Sequence, residues 1–252
     1  MRRILFFVML VLIFAIGLLE FRKPGINKVA QFKKAARPTF IDAKKDTSFE
    51  RIGEKITYNV RFGKLHMGRA IFRNVGKSEL NGKPADLITF ETKVTGFHDL
   101  ETIYSDPLNF LPLKIERRIN NLAIQEKITE NYDQQNFILA ISKTKGKNKE
   151  QFRIKKNSAI HNAILLPFYV RRIPKLEVGW TLMVQLPTQQ FLIRLVSVEQ
   201  VRVPSGEFSC YHFESFPKKF EIWISADNRR IPVKIKGLGA LGYTMVMQDY
   251  SF

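Results

Sequence analysis

The stretch EIWISADNRRIPVKIKG, residues 221–237, decides how the rest of the chain reads. Apolar side chains crowd Ile222, Trp223 and Ile224. The polar run Ser225-Ala226-Asp227-Asn228 interrupts them, and Ile231, Val233 and Ile235 then recur at every second residue. A period of two is strand geometry, because successive side chains of an extended chain point to opposite faces. Ser, Asp and Asn bond their own backbone and favour turns. The stretch is therefore a β-hairpin, basic at its turn and aromatic on its first strand.

The same pattern runs upstream from Gly53. EKITYNVRF (54–62) sets Ile56, Tyr58 and Val60 on one face against Lys55, Thr57, Asn59 and Arg61 on the other. GRAIFRNVG (68–76), DLITFETKV (86–94), PLKIERRIN (112–120), NFILAISKT (136–144) and EQFRIKK (150–156) continue it. Asn81-Gly82 and the loop around Gly146 supply turn chemistry. WTLMVQLP (180–187), QFLIRLVSVEQVRVP (190–204), EFSCYHFES (207–215) and LGYTMVMQDY (241–250) complete the series. The exception is HNAILLPFYVRRI (161–173), a dense apolar cluster with a cationic end. Its position around Pro167 predicts one short helix within residues 159–172.

About a dozen antiparallel strands without α/β alternation predict an all-β fold with one short helix. The expected architecture is a large curved antiparallel sheet forming a barrel or half-barrel, with the helix against its open side. Residues 49–252 form a single β-barrel-like domain in this reading.

Three stretches carry a resemblance. They are GEKITYNVRFGKLHMGRAIFR (53–73), VTGFHDLETIYSDPLNFLPLKIERRI (94–119) and EIWISADNRRIPVKIKGLGALGYTMVMQDY (221–250). Their Gly-Glu-x-x-x-Tyr strand, Thr-Gly-Phe turn and Trp-x-Ser-x-Asp-x-Arg-Arg-x-Pro-Val hairpin resemble the bacterial domain-of-unknown-function family 3108, over about residues 50–250. The resemblance implies a β-rich protein of the bacterial envelope carrying an N-terminal export signal. It implies nothing about chemistry.

The N-terminus fits an envelope address. Arg2 and Arg3 precede an unbroken apolar run, Ile4–Leu19. As a helix it would reach about 24 Å, short of the ~30 Å hydrocarbon core, a gap that snorkelling Arg3 and Arg22 would close. Residues 1–21 read as a signal peptide, with Ala15-Ile16-Gly17 as its cleavage site, or as a membrane anchor through residues 4–19. Residues 22–48 form a basic linker, broken by Pro24-Gly25, with eight basic residues against one acid, Asp42, between Arg22 and Lys45. Alone, that charge favours a cytoplasmic domain. The family resemblance favours the periplasm, and the expected location is periplasmic, exported or anchored in the inner membrane.

Lys and Arg number 41 against 23 Asp and Glu, a net charge of +18. Such a charge speaks of partners, not of fold. Helix-turn-helix and RNA-binding signatures are missing, so no nucleic-acid partner is expected. An anionic lipid or envelope glycan is, and envelope protein partners fit the same location. Cys210 is the lone cysteine, which excludes an internal disulfide and a multi-cysteine zinc site.

No catalytic set emerges, and no cofactor. His66, His98, His161 and His212 stand in none of the metal-ligand spacings, so no metal site is expected. Gly237-Leu238-Gly239-Ala240-Leu241-Gly242 matches G-x-G-x-x-G literally but leads into a strand, and a glycine-rich bend explains it. Cys210 and His212 share a strand face, as packing residues do. Glu101 with Asp106, or Glu116 with Glu126, would make a carboxylate pair for glycoside hydrolysis if they faced each other. The non-catalytic reading places an anionic ligand among Phe168, Tyr169, Arg171, Arg172, Trp180, Trp223, Arg229 and Arg230, where aromatics accompany cations.

Overall fold

The computed structural model describes residues 51–121, 125–238 and 242–252. The leader and basic linker lie outside the described residues. Within them no helix is long and apolar enough to cross a membrane.

Fourteen antiparallel strands form one sheet. Eight belong to the N-terminal half: β1 (Lys55–Phe62), β2 (Leu65–Leu80), β3 (Lys83–Val94), β4 (Phe97–Ser105), β5 (Pro112–Asn121), β6 (Gln125–Asp133), β7 (Ile138–Lys145) and β8 (Asn148–Lys155). Six follow: β9 (Thr181–Gln185), β10 (Gln190–Val203), β11 (Gly206–Phe216), β12 (Phe220–Ser225), β13 (Pro232–Gly237) and β14 (Tyr243–Ser251). The helix is narrower than its sequence predicts: α1 spans Leu166–Val170, with Pro167 in its first turn, where a missing N–H costs nothing. Each half is a meander, and β1 joins β14 at the centre. The edge strands are β8 and β9, and the segment between them, which contains α1, runs from one edge to the other.

The helix reveals the curvature. Its Leu165 and Phe168 pack with Ile56, Phe72, Ile88 and Leu139 of the first half. Its Leu166 and Val170 pack with Phe191, Ile193, Phe213 and Ile222 of the second. One short helix touches the inner faces of both halves only if the sheet curls around it. The result is the half-barrel expected from the strand pattern, with its interior plugged. Phe168 stacks on Phe72 at 3.7 Å between ring centroids.

Polar side chains guide the crossing segment. The Gln134 amide brackets Ile160, accepting its N–H at 3.0 Å and donating to its carbonyl at 2.9 Å. Asn162 Oδ1 then accepts from Ile164 and Leu165 N–H at 2.8 and 3.1 Å, which begins the turn into α1. Gly237 is required by packing: a Cβ there would lie 2.2 Å from the Tyr243 ring.

Candidate functional site

Three polar constellations stand out. The first pins α1. Arg171 Nη1 and Nη2 donate to Glu54 Oε1 and Oε2, both at 2.8 Å, with side chains 3% and 0% exposed. Arg230 donates to the carbonyls of Arg171 and Pro174 at 3.0 Å, and also to that of Ile173. These carbonyls follow the last turn of a helix, where partners are otherwise lacking. The hairpin turn that carries Arg230 is closed by Asp227. Its Oδ1 accepts from Ser225 Oγ at 2.7 Å and from Arg229 N–H at 3.1 Å. Tyr58 donates to the Pro232 carbonyl at 2.9 Å, tying β1 to the same hairpin.

The second lies on the inner face of β4–β6. Register places Glu101 opposite Arg117, and Asp99 two residues away on the same face. Arg117 donates through Nε to both Asp99 oxygens at 2.9 and 3.0 Å, and stands 3.4 Å from Glu101 Oε1. Glu130, bonded by the Tyr132 hydroxyl, completes the group. One guanidinium thus faces three carboxylates. Burial pushes the Glu101 carboxyl up to about 8; Arg117 opposes this, and Asp99 and Glu130 add to it. Such a shift in a cluster marks a place where a proton can be held at neutral pH.

The third lies on the opposite face of the second half. Register runs His212 to Trp223 to Lys234 across β11, β12 and β13. The His212 ring stacks on Trp223 at 4.3 Å and 7°, and Lys234 Nζ lies 4.2 Å from the Trp223 ring. Trp223 Nε1 donates to Glu199 Oε1 at 2.6 Å.

A cavity lined by Asn74, Asp86, Phe110, Phe168, Arg171 and Arg172 holds about 10 Å³, room for about one water.

The model for the family described as "Protein of unknown function (DUF3108)" matches residues 57–248. The chain belongs to this family. Two solved structures align with the chain at low identity. A β-barrel-like protein of family DUF1849 from Brucella abortus is 8% identical, with a TM-score of 0.48, covering 80% of this chain and 98% of that one. A Bacteroides fragilis protein of YmcC-like fold, described as a candidate exported protein, is 12% identical with a TM-score of 0.28, covering 80% and 97%. No curated protein matches the sequence.

In this DUF3108 protein the residues singled out from sequence separate into four places. Phe168, Arg171, Arg172 and Arg230 meet at the end of α1, where Arg171 and Arg230 hold internal partners. Arg172 donates to the Pro107 carbonyl at 3.2 Å and lies 5.2 Å from the Phe110 ring. Tyr169 and Trp180 pack with the apolar residues that Leu166 and Val170 contact in the second half, edge-on to His161 and Phe213 at 5.3 and 6.1 Å. Trp223 is buried on the opposite face. Arg229 is exposed and paired with Asp227 at 2.6 Å.

Neither proposed carboxylate pair forms. Asp106 Oδ1 accepts from the N–H groups of Leu108 and Asn109, closing a turn, while Glu101 faces Arg117. Glu116 opposes Thr129 whereas Glu126 opposes Ile119, three residues on, so the two glutamates point to opposite faces. Sequence reading passed over Glu130 and Glu199, and placed Asp99 in a turn with His98 and Glu101, whereas all three lie on β4. The Gly-Glu-x-x-x-Tyr motif pointed at Glu54, since a glutamate opening a half-buried strand needs a buried partner.

Proposed function

We propose that this DUF3108 protein is a non-catalytic component of the bacterial cell envelope. In this reading it binds an anionic lipid or polysaccharide on its outer surface and does not enclose an acyl chain. The observation that carries it is a cationic outer face on β5–β8. Arg118 opposes Lys127, Lys127 opposes Thr144, and Thr144 opposes Lys149 in register, all exposed except Thr144. Arg153 and Lys155 extend the same face along β8. Glu116 shares this face but is held by Lys114 at 2.7 Å, and adjacent cations repel one another and gain from a phosphate or carboxylate array. The plugged interior supports surface binding over carriage. An export-like leader and the family resemblance support an envelope address, against the linker charge.

The full-length chain in nanodiscs of phosphatidylglycerol or phosphatidylcholine tests this, alongside a soluble anionic polysaccharide. Reversing Arg118, Lys127 and Lys149 to Glu should abolish the preference for whichever anion binds. Loss confined to phosphatidylglycerol nanodiscs identifies lipid headgroups as the ligand, and loss confined to the polysaccharide identifies the glycan. Unchanged binding in both sinks the proposal and leaves the linker as the anion-binding element.

One observation favours a second reading, an envelope glycan hydrolase: Glu101 combines a proton-holding carboxyl with Asp99 and Glu130 on the concave face. Glu101→Gln with intact fold and lost glycan cleavage would establish it.

A further inference from the structure

We propose that His212, Glu214 and Glu221 form a binding site for a divalent transition-metal ion, on the sheet face opposite α1. His212 and Glu214 stand two residues apart on β11, so their side chains leave the same face. Glu221 of β12 lies directly across from Glu214. One ligand atom from each residue comes within 4.8 Å of the other two.

His212 is poised as a ligand. Its Nε2 is buried, has no hydrogen-bond partner among the described residues, and lies 3.9 Å from Glu221 Oε2. A buried polar atom without a partner is uncommon and calls for an explanation. The other ring nitrogen, Nδ1, faces Glu199 Oε2 at 3.8 Å. Glu199 is itself held by the Trp223 indole. At 3.8 Å this carboxylate is an electrostatic neighbour of the imidazole, and drawn to hydrogen-bonding distance it would orient the ring as carboxylates orient metal-binding histidines.

A cation already occupies the position. Lys218 Nζ lies 2.9 Å from Glu214 Oε1 and 3.2 Å from Glu221 Oε1. The Ser215 hydroxyl accepts from Lys219 and Phe220 N–H at 2.9 and 3.0 Å, which pins the turn carrying Lys218. The lysine side chain is 53% exposed, so it can swing into solvent when an ion arrives. Lys236 Nζ also lies 3.7 Å from Glu221 Oε2, so two ammoniums face the two carboxylates, and a divalent ion would take the place of Lys218 with the imidazole as an added ligand. One imidazole and two carboxylates, with positions left for water, form a donor set suited to Zn²⁺.

The test is calorimetric titration of Zn²⁺ into the full-length chain, purified in mild detergent without a histidine tag. A parallel Ni²⁺ titration reads quenching of tryptophan emission, since Trp223 stacks on the proposed ligand. One equivalent of Zn²⁺ should bind, with emission quenched by Ni²⁺. His212→Gln and Glu221→Gln should each weaken binding by about tenfold or more. Lys218→Met should strengthen it about fivefold by removing the competing ion pairs. The proposal is overturned by absence of stoichiometric binding, or by wild-type affinity in both H212Q and E221Q. Lys218 is exposed, so its variant tests the site even if H212Q misfolds; unchanged affinity in K218M also overturns it.

Discussion

Arg171 and Glu54 are 117 residues apart in sequence and form a bidentate pair shielded from solvent. Through it α1 is fastened to the start of β1, at the centre of the sheet. Removing one partner leaves a charge buried without compensation. Arg171→Ala or Glu54→Gln should therefore cost about 3–5 kcal/mol, read by urea denaturation. The double variant Arg171→Met with Glu54→Leu should recover much of that loss, because neither charge then remains. A loss below about 1 kcal/mol for the single variants would mean that α1 docks through apolar packing alone.

Arg229 and Arg230 are neighbours with different work. Arg230 holds three carbonyls beyond α1, whereas Arg229 pairs with Asp227 in solvent. Arg230→Ala should destabilise by about 2 kcal/mol, the scale of hydrogen bonds to a charged donor. Arg229→Ala should stay within about 0.5 kcal/mol. Equal effects in thermal unfolding would refute the assignment of Arg230 as the brace.

Glu101 gives stability a pH dependence of definite sign. Its carboxyl is raised from 4.5 to about 8 in the folded chain. Between these values the folded state holds a proton that the unfolded state has released. Stability contributed by this group is therefore present below pH 4.5 and lost as pH rises through about 8. Glu101→Gln should flatten that decline, leaving the variant more stable than wild type at pH 8 relative to pH 5. A parallel pH profile in the two proteins would show that Glu101 is ionised throughout, paired with Arg117.

Cys210 is fully buried on β11, and burial, with Asp227 and Glu199 adding to it, pushes its thiol up to about 12. The reactive species is the thiolate. A disulfide reagent at pH 8 should leave the native protein unmodified and label one thiol after denaturation. Rapid labelling of the native state would indicate that the β10–β11 hairpin opens.

Much of the fold was legible in the sequence. Ile56, Tyr58 and Val60 face the interior as their alternation predicts, because the period of two is local strand geometry. Pro167 and the apolar cluster around it located the helix, though only Leu166–Val170 closes helical turns. The family motifs located Glu54, Tyr58, Asp227 and Arg230, without disclosing that they converge on one staple.

The rest was decided by pairing across strands. The basic and aromatic residues 168–172 and 229–230 looked like a ligand rim, yet Arg171 and Arg230 meet internal partners that are distant in sequence. Glu116 and Glu126 fell on opposite faces because one-residue differences in register reverse a side chain. Glu214 met Glu221, and His212 met Trp223, because β11 and β12 align as they do. Alternation along a strand is set by backbone geometry within a few residues, so composition and spacing alone determined the β-rich architecture, the short helix among the described residues and the charge. Which side chains become neighbours depends on register, bulges and the curl of the sheet around α1, and those are fixed only when the whole core packs.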